Sequence, residues 1–218
     1  MKKLITICLL ITLLYSFKAQ TDYETTKIGN QIWMTENLNI DKFKNGDKIF
    51  YAKNEKAWKK VTNDEKKPAY FKLTIKIDNK NLSCYFYNWY AVIDTRGLAP
   101  LGWHIPTVKE YDQLIATLGG QYYAGNKLKS KSGWNENFGT NSSGFNGLPI
   151  SYINYYGEYI EPSSFYEHTT GTWWASDKRY GGGGSFSLKA SDNATKYPNA
   201  MTYMNEYYEG LAIRCVKD

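Results

Sequence analysis

Only one stretch of this chain repeats apolar residues at helical spacing, and that limits the fold more than any other feature. In TVKEYDQLIATL, Thr107 to Leu118, the side chains of Tyr111, Leu114, Ile115 and Leu118 fall on one face. Thr107 and Glu110, three residues apart, can satisfy each other's backbone N–H groups as a capping box, and Gly119 with Gly120 stops the helix. Elsewhere the pattern has the period of strands. Ile32 and Met34 alternate with Gln31 and Trp33 after a turn at Gly29 and Asn30, and Leu73, Ile75 and Ile77 alternate with Thr74, Lys76 and Asp78 before a hairpin turn over 78–81. The charged segment from Asp41 to Lys67 lacks periodicity and reads as a loop-rich excursion. Further short strands are expected over 147–152, 159–160, 172–176, 184–189, 200–203 and 210–216, with Gly181 to Gly184 as a flexible loop. The resulting expectation is an α+β fold in one domain, residues 20–218, with one main amphipathic helix, short antiparallel strands and long loops.

The first residues, MKKLITICLLITLLYSFKAQ, place Lys2 and Lys3 before an apolar run from Leu4 to Leu14 and a polar exit at Ala19. That order matches a secretory signal peptide over residues 1–19, and the run is too short to span a bilayer. The expected mature protein starts near Gln20, is secreted or periplasmic or held at the cell surface, and has no transmembrane anchor. Three of the 27 basic residues leave with the signal, so 24 bases face 21 acids and the mature net charge is +3. The bases are scattered, which gives no footing for nucleic-acid binding.

Two His and three Cys are too few and too dispersed for a zinc site, so neither a metal nor another cofactor is expected. His104, in GWHIPT, reads as a structural, hydrogen-bonded residue, and His168 as an exposed one. Cys8 lies in the signal. Cys84 and Cys215 remain in an oxidising compartment, where they either form a disulfide or stay as separate buried thiols; the bridge is the expectation carried forward. Gly181 to Gly184 lacks the Lys-Ser or Lys-Thr that a phosphate loop needs, and no G-x-S-x-G elbow is present.

The chain has 36 aromatic residues, 20 of them Tyr. Many crowd into the Gly-, Ser- and Asn-rich stretch between 147 and 180, where flat rings and adaptable hydrogen-bonding groups suit sugar, peptide or protein recognition. Trp173 and Trp174 are assigned to the core. Tyr155, Tyr156, Tyr159 and Tyr166 are the candidates for stacking on a ligand, with Glu158 and Glu161 as hydrogen-bond acceptors. The same two carboxylates, walled by Tyr rings, are also what a glycoside hydrolase would need, and this is the weaker reading.

Seven blocks occur in a recognisable order: IGNQIWMTENLN, YNWYAV, GLAPLGWHIPTVKEYDQL, GNKLKSKSGW, GTNSSGFNGLP, WWASD and AIRCVKD. In them the chain resembles the Fibrobacter succinogenes major paralogous domain family across nearly all of its mature length. The resemblance implies an exported protein of Bacteroidota type with a C-type-lectin-like fold, akin to that of the formylglycine-generating enzyme. Many relatives carry Cys in the block before GWH, where this chain has Ala99, so Cys84 would have to substitute as the partner of Cys215. The Glu-Pro-Asn of calcium lectins is here Glu161-Pro162-Ser163, and losing the amide removes a calcium oxygen, so that site does not carry over. The paired active-site Cys of the formylglycine-generating enzyme also have no counterpart.

These readings lead to a non-catalytic binding module for glycan or peptide ligands, partnered by a glycan or a cell-surface protein. The alternatives are a structural or adhesion subunit of a surface assembly and, less favoured, a cryptic enzyme.

Overall fold

A computed structural model describes residues 23–134, 139–161, 170–190 and 199–218. The signal-peptide reading of residues 1–19, Cys8, Tyr166 and His168 lie outside the described residues.

The chain opens with β1 (Thr25–Ile28) and β2 (Gln31–Met34), joined by a turn in which Gly29 adopts a φ of 60°. A short β3 (Phe50–Tyr51) precedes helix α1 (Glu55–Lys59), where the Asn54 side chain accepts from the Ala57 N–H and caps the first turn. α1 runs directly into one π-helical turn over Lys60–Asp64. β4 (Ala69–Ile77) and β5 (Lys80–Asn88) form a long hairpin. Its two-residue turn, Asp78 and Asn79, has both residues at positive φ, the conformation that matches the twist of paired strands. There follow α2 (Trp89–Val92), β6 (Trp103–His104), α3 (Val108–Thr117) and α4 (Ala124–Leu128). The last third supplies β7 (Tyr152–Ile153), β8 (Tyr159–Ile160), β9 (Thr170–Arg179), β10 (Gly182–Lys189), β11 (Ala200–Asn205), β12 (Gly210–Leu211) and β13 (Val216–Lys217).

These strands make three sheets: β1-β2-β13-β6, β11-β10-β9 and β3-β4-β5-β12-β7-β8. All pairings are antiparallel except β3 with β4.

The expected α+β class built on one main helix is therefore wrong. Thirteen strands in three sheets dominate the described residues, beside four short α-helices. α3 does form, with the Thr107–Glu110 capping box in place, but at ten residues it is only one layer over β-structure. Several of the strands are two residues long, too short to show a period of two in sequence.

Apolar side chains gather into three clusters. Trp33, Tyr111, Phe145, Trp173 and Phe186 interlock beneath α3, with the Tyr111 and Phe186 rings stacked at 4.6 Å. Trp89, Trp103, Trp174 and Tyr87 form the second cluster, with the Trp174 indole N–H donating to the Tyr87 carbonyl at 2.7 Å. Trp58, Phe71, Phe86 and Ile153 form the third. Both Trp173 and Trp174 are thus core residues. Gly182 to Gly184, expected in a flexible loop, are instead buried in β10. The Trp89 ring lies against Gly183 so closely that a Cβ there would meet its carbons at 2.1–2.6 Å.

The expected disulfide is not made. Cys84 and Cys215 are both free and buried, and they belong to different clusters. Cys84 faces inward on β5 opposite Leu73, whereas Cys215 sits beside β13 among the aromatics of the second cluster. Each thiol fills apolar space, and burial pushes the Cys84 thiol up to about 11 and that of Cys215 up to about 12.

Candidate functional site

The residues singled out for binding come together only in part. Asn154 organises the turn between β7 and β8: its Oδ1 accepts from the backbone of Tyr156 and Glu158, and its amide donates to Glu158 Oε2 at 2.9 Å. This turn displays Tyr155 and Tyr156, 38% and 59% exposed. Their rings meet edge to face at 5.1 Å, Tyr208 packs on Tyr155 at 5.0 Å, and the Lys59 ammonium stands 5.4 Å from the Tyr155 ring. Tyr159 points the other way, packed on Phe86 at 5.6 Å in the third cluster, and burial raises its phenol pKa. It is half-buried against the third cluster and stands apart from the exposed Tyr155–Tyr156 pair. Glu161 is exposed just past β8.

A second place has a more enclosed geometry. A pocket of about 350 Å³ opens where the loop after β2, the start of β5 and the segment leading from Asn146 meet. Its polar wall consists of Thr35, Asn37, Asn39, Asn81, Ser83 and Asn146, and Leu82, Leu148 and Ile150 give it an apolar side. Thr35 Oγ1 is buried without a hydrogen-bond partner among the described residues. Asn39, Asn81 and Ser83 are exposed.

Arg214 reaches this pocket from the stretch before β13 and is 1% exposed. Its Nε and Nη2 donate to Asn37 Oδ1 at 3.0 and 2.7 Å, and Nη1 donates to the carbonyls of Met34 (3.2 Å) and Phe145. The guanidinium also lies 4.6 Å from the Phe145 ring centroid and 5.9 Å from that of Trp173. Trp173 Nε1 donates to the same Asn37 oxygen at 2.8 Å. Every acceptor of Arg214 is neutral, and no carboxylate lies within ion-pair distance among the described residues. Burial pulls the guanidinium down to about 10, still fully charged at neutral pH. Glu36, exposed at the rim, is the one acid among the lining residues.

His104 stands apart from both places, as a structural residue. Its ring nitrogens each sit 2.8 Å from a carboxylate, Nδ1 from Asp218 and Nε2 from Glu110. Among the described residues no group of three or more His, Cys, Asp or Glu could hold a metal.

The sequence-based selection of site residues missed the pocket. Its polar groups did lie in the recognisable blocks, Asn37 and Asn39 in IGNQIWMTENLN, Asn146 in GTNSSGFNGLP and Arg214 in AIRCVKD. A buried Arg inside an apolar run, AIRCV, was the available signal, because an isolated charge in such a run must find partners inside the fold.

Fold and pocket together define a strand-dominated domain with an amide-lined cavity between the loop after β2, the start of β5 and the segment leading from Asn146. The chain belongs to the Fibrobacter succinogenes major domain family (Fib_succ_major), whose model matches residues 26–217. No curated protein and no solved structure matches it.

Proposed function

We propose that this protein is an exported, non-catalytic binding module that holds a glycan in the Arg214 pocket. The observation carrying this reading is the wall of amide and hydroxyl side chains facing Leu82, Leu148 and Ile150. Sugar hydroxyls both donate and accept, as carboxamides do, while the C–H faces of a sugar ring suit an apolar surface. A volume of about 350 Å³ is at the small end of ligand pockets and fits one or two sugar units. A binding role without catalysis is supported by the lone acid there, since glycoside hydrolysis needs two carboxylates flanking the bond. The buried cation at the pocket also favours a ligand held without calcium.

The test is a glycan array on the mature protein with and without calcium, followed by titration of Asn39→Ala and Asn81→Ala. Both side chains are exposed, so the variants should fold normally and lose about tenfold in affinity. Unchanged affinity in both would refute the pocket as the site. Export is tested by the mass of protein recovered outside the cytoplasm, expected to begin near Gln20.

The exposed Tyr155, Tyr156 and Tyr208 group with Lys59 favours a second reading, a contact surface for a cell-surface protein.

A further inference from the structure

We infer that the ligand of this pocket is an acidic glycan, one bearing a carboxylate such as a uronic acid, and that its carboxylate takes the remaining donor of Arg214; this rests on the pocket reading above. A guanidinium has five N–H donors. The contacts of Arg214 use four: Nε–H and one Nη2–H on Asn37, and both Nη1–H on the carbonyls of Met34 and Phe145. One Nη2–H is left without an acceptor among the described residues, on a group that lines the cavity.

Charge leads to the same place. A cation held almost entirely out of water is costly unless an anion offsets it. Its protein acceptors are neutral dipoles, and the two rings beneath it supply only their π faces. Glu36, exposed at the rim, favours the charged guanidinium through space but forms no ion pair with it, and water weakens its pull. An anion entering the pocket would sit against the guanidinium in a medium of lower dielectric and gain a charge-assisted hydrogen bond. The unpartnered Thr35 Oγ1 and the exposed amides of Asn39 and Asn81 remain to hold the sugar hydroxyls. A neutral glycan would leave the Arg214 charge as it is. A carboxylated one would neutralise it.

Two variants test this without removing Arg214, whose loss would unmoor three loops at once. Asn37→Asp keeps the side chain's shape and places a carboxylate on the Nε and Nη2 donors, giving Arg214 an internal counter-ion. Glu36→Gln removes the rim charge that repels an incoming acid. Titrations use oligogalacturonate and an uncharged galacto-oligosaccharide of the same length, and the readout is the ratio of the two affinities, with thermal melts confirming that both variants are folded. The wild-type protein should prefer the acidic sugar by about tenfold or more. Asn37→Asp should collapse that ratio towards one, and Glu36→Gln should raise it several-fold. Equal binding of acidic and neutral sugars by the wild type, or a ratio that neither variant moves, overturns the inference and leaves the pocket reading standing. If neither sugar binds, and no glycan on the array does, both are overturned.

Discussion

Asn37 and Arg214, 177 residues apart, are joined through a single oxygen: Asn37 Oδ1 accepts from both Nε and Nη2 of the guanidinium. The same oxygen takes the indole N–H of Trp173, so it fastens the loop after β2 to both β9 and the chain end leading into β13. Truncation by Asn37→Ala would strand two donors of a buried cation and one buried indole. A charged donor left unsatisfied is the larger loss, so the variant should be less stable by about 2–3 kcal/mol. Urea denaturation of the two proteins measures it, and a change within experimental error would mean that the oxygen is replaceable.

Gly183→Ala probes the close packing of β10 on α2. The new methyl would fall at 2.1–2.6 Å from carbons of the Trp89 ring, which is itself buried beside Trp174. With no room for the ring to retreat, overpacking should cost about 1–3 kcal/mol. Gly181→Ala has open space around it but a φ of 82°, so it separates backbone strain from crowding. Paired melting curves of the two variants make the comparison.

His104 should give the fold a pH dependence. Burial alone would lower its pKa, but hydrogen bonds to Glu110 and Asp218 outweigh this and hold it above the usual imidazole range. A folded pKa above the unfolded one stabilises the fold fully at pH below the unfolded value, and the contribution is lost as pH rises through the folded value. For Glu110, burial is outweighed by the Thr107 backbone and His104, so its pKa is lowered, and its contribution disappears as pH falls through that value. Stability from this group should therefore be greatest between the two, in mildly acidic solution. His104→Gln should flatten the fall in melting temperature above about pH 6.5. An unaltered profile would show the contacts to be energetically silent.

Both thiols should be free in protein isolated from an oxidising compartment. Alkylation under denaturing, non-reducing conditions should label Cys84 and Cys215 alike, while the native protein reacts slowly because both are buried and their thiolates scarce. A mass two units below the reduced chain would restore the bridge.

What the sequence made legible was local. The capping box at Thr107 and the strand patterns around the hairpin are written in neighbouring residues and recur in the structure, and the turn expected over 78–81 closes in the two residues Asp78 and Asn79. The three-sheet arrangement was not legible, because strands such as β12 and β13 are fixed by partners far away: Gly210 pairs with Asn88, and Val216 pairs with Trp33 and His104. The helix α1 went unseen because its charged sequence buries only Trp58. The Gly run misled for a related reason, since what Gly183 makes room for is Trp89, more than 90 residues earlier. The pocket shares this character: Asn37, Asn81, Asn146 and Arg214 each look like an ordinary polar residue until the fold gathers them.

The tyrosines of the β7–β8 segment, alike in sequence, should behave oppositely on mutation. Tyr156 is largely exposed and touches Tyr155 edge to face, so Tyr156→Ala and the Tyr155→Ala/Tyr156→Ala double variant should change stability by about 1 kcal/mol or less. Tyr159 packs on Phe86 in the third cluster, and Tyr159→Ala would open a cavity there at a cost of about 3 kcal/mol. Chemical denaturation of the three variants reads this directly. If the double variant instead failed to fold, the Tyr155–Tyr208 contact would be part of the core, and the exposed patch would lose its standing as a contact surface. If it folds and glycan affinity is unchanged, the sugar binds elsewhere, as the Arg214 pocket requires.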